Sequence, residues 1–151
     1  MSSVSDAEAF LDPDASRDYL RTWREDAERK AERAGSMAAQ IEQLRTSAKD
    51  DNDLAEVTVD SAGVLVDLVL TDRIHRNEPE AVARAVMSAL RKARMRTAER
   101  ARDIAVDAMG PDSMSAQVFG DRIQQLRESS DAAEEASGRV PNQSQGWSPH
   151  G

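Results

Sequence analysis

The chain has 151 residues, a formal net charge of -8, 39% hydrophobic but only 3% aromatic residues, and no cysteine. Disulfides, thiolate metal sites and thiol catalysis are thereby excluded, and no apolar run approaches the roughly 20 residues of a membrane span. What remains is one domain of narrow-striped helices with little core of its own, and "MSSVSDAEAF" lacks the blocks of a signal peptide, so the expected location is the cytoplasm.

Charge is unevenly spread along the chain. Successive stretches 1–16, 17–49, 50–83, 84–102 and 103–151 balance to -4, +2, -7, +6 and -5. Residues 1–13 read as an acidic, flexible N-terminus. A first long helix is expected from about Pro13, capped by Asp14 or Ser16, to about Lys49, where "KDDND" would stop it. Its apolar residues follow a heptad: Leu20, Ala27, Ala34, Ile41 and Ala48 fall seven apart, with Trp23, Met37 and Leu44 interleaved and Lys30 interrupting. A stripe this narrow is a helix–helix seam. Trp23 on that seam is expected in the core.

The period then changes. "LAEVTVD" alternates, with Val57 and Val59 on one face, and "VLVDLVL" is a dense Val/Leu run. Gly63 between them is free to take a positive φ, so the pair reads as a β-hairpin. A two-stranded hairpin is marginal alone and needs a helix or a second copy. The second long helix opens at "NEPEAVARAV", with Asn77 as cap and Pro79 in the first turn. Gly110–Pro111 stops it after Met109, which gives about 50 Å of helix at 1.5 Å per residue. The folded unit thus spans 14–110. A short amphipathic helix is expected within 111–128, with Ser115 as cap and Phe119, Ile123 and Leu126 on one face. Residues 129–151, polar and rich in Gly, Pro and Ser, read as a disordered tail.

The second helix carries "RKARMRTAERAR" at 91–102, with six bases and one acid. On a helical wheel Val82, Val86, Ala89, Leu90, Ala93, Ala101 and Ile104 form the apolar side. Arg84, Arg91 and Arg102 fall nearly opposite, Arg94 on one shoulder, and Lys92, Arg96 and Arg100 on the other. These bases either solvate the helix or meet phosphates. Without interleaved aromatics they do not form a single-strand stacking surface. Without a helix-turn-helix, zinc-finger or basic-zipper pattern, backbone contact would dominate base readout. The candidate DNA-binding set is Arg84, Arg91, Lys92, Arg94, Arg96 and Arg102, with Arg17, Arg21 and Arg24 of the first helix as the fallback. The acidic ends are expected to compete for this basic stretch.

Catalytic signatures are missing. There is no P-loop, dinucleotide-binding or nucleophile-elbow pattern. "DDND" at 50–53 begins like a calcium loop, but Ala55 and Glu56 stand where its glycine belongs, so it reads as a solvated loop. His75 and His150 are too few for a metal site, and Met87, Met95, Met109 and Met114 read as packing residues. The chain reads as a non-enzyme with no cofactor and no metal.

"AEVTVDSAGVLVDLVLTD" followed by "NEPEAVARAVMSALRKARMRTAERA" resembles the YbaB/EbfC family of bacterial nucleoid-associated proteins, in the form common in actinobacteria. The matching features are the V-T-V-D strand, the Gly63 turn, the D-L-V-L strand and the P-x-x-V/L-A-x-x-V-x-x-A-L-x-x-A helix, over roughly residues 17–108. The resemblance implies an α+β fold of long helix, small antiparallel sheet and long helix. It further implies a tweezer-like homodimer joined through its sheets, and binding of duplex DNA with little sequence preference. An acidic pI near 4.8 sits against that picture. The alternative is a protein-interaction module of a type VII secretion system, in which the arginines face an acidic protein partner.

Overall fold

The structure is a computed structural model that describes residues 12–138. In chain order it comprises α1 (Pro13–Glu42), β1 (Thr46–Lys49), β2 (Ala55–Val59), β3 (Leu65–Leu70), a 3₁₀ turn (Asp72–Arg76), α2 (Pro79–Met109) and α3 (Met114–Gly138). The architecture is α+β, with an antiparallel sheet ordered β1-β2-β3. Among the described residues no helix is long and apolar enough to cross a membrane.

α1 begins one turn earlier than its expected caps. Asp12 is the cap, its Oδ1 accepting from Asp14 N at 3.0 Å, and Pro13 fills the first helical position, where no N–H is needed. The helix ends at Glu42 and not near Lys49. Thr46–Lys49 is instead a strand, registered from Thr46 opposite Val59 to Lys49 opposite Glu56. Ala48 therefore continues the seven-residue spacing only by coincidence, and it is buried against the sheet's own helix. Pairing with β2 and burial of Thr46 and Ala48 outweigh the local helical pattern. The expected hairpin is thus two-thirds of a three-stranded sheet.

The hairpin turn is built as its residues suggest. Gly63 sits at φ +78, and Asp60 Oδ1 accepts from Ala62 N and Val64 N at 2.9 and 3.0 Å. A register shift at Thr58/Val59 bulges the pairing with β3.

α2 lies across β1 and β2 through Ala85, Ala89 and Ala93, the first part of a ridge of buried small residues that recurs every four positions through Thr97, Ala101 and Ala105. Small side chains let the helix approach closely. Val57 and Val59, both 0% exposed, pack on Ala89 and Ala93, flanked by Val86 and Leu90. Valine and threonine are the largest fully buried side chains. At about 1.5–3 kcal/mol per buried valine or leucine, this is a slender core. Glu78, and not Asn77, precedes the first turn of α2, without a side-chain cap; Asn77 Nδ2 donates instead to Arg73 O at 2.8 Å.

Gly110 at φ +94 and Pro111 end α2 where expected. The following helix is longer than expected. α3 runs 25 residues to Gly138, so 129–138 are helical and not a tail. Ser113, and not Ser115, supplies its capping oxygen, accepting from Ala116 N at 3.1 Å. Half-buried Ile123, Leu126, Ser130 and Ala133 continue one face past the expected boundary, which is why the helix extends. The expectations for residues 1–11 and 139–151 lie outside the described residues.

Two packing expectations are reversed. Trp23 is 64% exposed, with Tyr19 and Leu20 beside it at 66% and 57%. No residue of α1 is buried, and Lys30 already lies beside the α2–α3 turn. Met87 and Met114 are likewise exposed, at 51% and 82%.

Candidate nucleic-acid interface

The six candidate bases of α2 divide into two groups. Three are anchored to the sheet and its loops. Arg94 Nε donates to Gly63 O at 2.9 Å, and Arg96 Nη1 donates to Ser47 O at 3.0 Å. Lys92 Nζ pairs with the Asp51 carboxylate. The other three, Arg84, Arg91 and Arg102, have no hydrogen bond or ion pair within the described residues. On an ideal helix these three lie within about 20° of one line and extend over about 27 Å. Buried Ala89, Ala93 and Thr97 occupy the opposite side. Arg84 and Arg102 are exposed and Arg91 is half-buried. Sequence periodicity places the row correctly, but it also counts Arg94 as free. Only the fold reveals that a carbonyl in the β2–β3 turn holds it.

The loop opposite Lys92 is shaped by Asp50. Expected to be solvated, this residue is only 6% exposed. Its Oδ1 accepts from Leu54 N and Ala55 N, both at 2.8 Å, and its Oδ2 from Asn52 N at 3.1 Å. Burial alone would raise the carboxyl pKa; the N–H groups of Ala55, Asn52 and Leu54 together reverse that and hold it below the ordinary aspartate value. Asp51, next in the chain, is thereby fixed beside Lys92.

Two features of the site lie beyond what the sequence pattern signals. β3 is an edge strand that α2 leaves uncovered: Leu65, Val66, Leu68, Val69 and Leu70 are 41–51% exposed. The Val/Leu run signals burial but not by what. In addition, α3 folds back along the outward side of α2. Glu134 lines a cleft with Arg84 and Arg91, Leu126 and Ser130 line one with Arg91 and Arg96, and a Cβ at Gly120 would sit 3.8 Å from Arg102 Nε. Among the described residues no group of three or more His, Asp or Glu could hold a metal ion.

The model of the YbaB/EbfC DNA-binding family matches residues 20–111, from the outer part of α1 through the sheet and all of α2. The chain belongs to this family. The match supports duplex DNA as partner and a nucleoid-associated, DNA-binding assignment in a family that is not enzymatic. It stops at Pro111, so α3 lies outside it. No curated protein matches the chain.

Proposed function

We propose that this YbaB/EbfC protein is a homodimer that holds duplex DNA through its phosphates, with little sequence preference, as a nucleoid-associated protein of the cytoplasm. The observation that carries the reading is the row of Arg84, Arg91 and Arg102: three guanidinium groups along one helix of a DNA-binding domain, none of them hydrogen-bonded or ion-paired among the described residues. Arginine forks suit phosphate oxygens, and each phosphate neutralised releases condensed counterions. Such contacts carry no base code. Lys92, Arg94 and Arg96 support the helix from its sheet side and are secondary at most.

The dimer is supported by β3. An edge strand with apolar side chains exposed on both faces is a template for association. A second copy would cover it and enlarge a core whose largest fully buried side chains are two valines and a threonine. Changing Arg84, Arg91 and Arg102 together to Glu tests the reading. Duplex binding should be lost for every sequence tried, with the melting temperature unchanged. Retained binding would move the contact to Arg17, Arg21 and Arg24 of α1.

A further inference from the structure

We propose that α3 is an internal cover over the phosphate-binding row of α2, and that duplex DNA and α3 compete for it. The inference rests on the DNA-binding reading of that row. α2 has two long sides. The sheet occupies the one lined by Ala89, Ala93 and Thr97, and α3 runs along the one that carries Arg84, Arg91 and Arg102. A phosphate approaching Arg91 from outside meets the last turns of α3.

Charge and packing in α3 agree with a cover that can leave. Its final turns hold Glu128, Asp131, Glu134 and Glu135 and no base between 128 and 138. Glu134 shares a cleft of about 480 Å³ with Arg84 and Arg91, yet among the described residues no carboxylate of α3 forms an ion pair with α2. The attraction is therefore long-range and weakened by salt. α3 itself contributes few fully buried side chains to the seam. Ala116 is the one buried residue between Met114 and Ala136, and open surface clefts of about 320 and 280 Å³ run along the seam, the larger one shared with the β2–β3 turn. A contact with little buried apolar surface opens at low cost, as mobile lids do. Opening would uncover half-buried Arg91 and clear the approach to Arg84 and Arg102, while Ala89 and Ala93 stay packed on the sheet.

The test uses the full chain in two variants of equal net charge. One carries Glu128→Gln, Asp131→Asn, Glu134→Gln and Glu135→Gln. The other carries Asp18→Asn, Glu25→Gln, Glu28→Gln and Glu32→Gln, all exposed positions of α1. Both are titrated with a mixed-sequence duplex at low salt, after a melting curve confirms the fold. The α3 variant should bind more tightly than wild type by about tenfold, a scale on which local surface charge acts, and the α1 variant much less. Duplex DNA should also speed amide hydrogen exchange in α3 of the wild-type protein while that of β1–β3 stays slow. If the α3 variant and wild type bind equally, or both variants tighten alike, the cover is refuted and DNA binding stands. If wild type and both variants fail to bind, the DNA reading falls and the cover falls with it. Unchanged exchange in α3 on saturation with duplex would also overturn it.

Discussion

Arg94 and Gly63 fix each other. The Arg94 Nε donates to the Gly63 carbonyl at 2.9 Å, and a Cβ placed on Gly63 would meet Arg94 Cγ at 3.4 Å. The glycine also holds φ +78, a conformation that side chains strain. One residue of the β2–β3 turn is thus tied to the middle of α2.

That pairing predicts a stability effect where the charge alone suggests a binding effect. Gly63→Ala should destabilise by about 1–2 kcal/mol, since left-handed backbone costs a side chain roughly that much. Arg94→Gln should cost about 1 kcal/mol, the net worth of a half-exposed hydrogen bond. Denaturant melts check both. An Arg94→Gln protein as stable as wild type would return Arg94 to the free bases.

The Asp50 loop predicts a pH dependence with a definite sign. The folded-state pKa is depressed, so the carboxylate's stabilisation is present above the unfolded value of about pH 4 and is lost as pH falls through the folded value. Asp50→Ala leaves the N–H groups of Asn52, Leu54 and Ala55 without their acceptor and should cost about 2 kcal/mol near neutral pH. Urea melts across pH should show the gap to wild type narrowing below about pH 4. A gap that widens on acidification would contradict the assignment.

The β3 edge predicts that association and folding are linked. Replacing Val66 and Leu68 by Lys should remove the apolar edge. Light scattering should then give a monomer's mass, with a lower melting temperature than wild type, whose mass should be twice the monomer's. A wild-type protein that is monomeric and stable at micromolar concentration would exclude the dimer.

Salt should weaken duplex binding steeply. Three free arginines in each of two protomers offer about six phosphate contacts, hence a log–log slope near -5 at roughly -0.9 per contact. Losing only Arg102 should reduce that slope by about 2 for the dimer. Equilibrium titrations between low and physiological salt measure it.

Much of this fold was legible because local and tertiary preferences coincide. The Pro79 start, the Gly110–Pro111 stop and the alternation around Val57 all read directly. β1 did not: four residues, Thr46–Lys49, follow a long heptad, and only pairing with β2 makes them a strand. The face of α3 was visible in Phe119, Ile123 and Leu126, but periodicity does not say which neighbour a face meets. The arginine row on α2 was legible from the wheel. The anchoring of Arg94 and Arg96 was not, since their acceptors lie 31 and 49 residues away on backbone carbonyls.

Gly35, within α1, has nothing within 4 Å of an added Cβ. Gly35→Ala should therefore stabilise the helix by about 0.5–1 kcal/mol, read as a higher melting temperature. That glycine stands near the point where α1 loses its neighbours. From Arg17 to Arg33 every side chain is exposed, so these turns depend on the Asp12 cap and on local pairs such as Asp26–Arg29. Most helix stability in proteins comes from tertiary packing, which these turns lack. The outer arm should fray and re-form continuously, and its reach should shrink on warming well before the sheet melts. Far-UV circular dichroism would record this as a sloping loss of helix ahead of the cooperative transition.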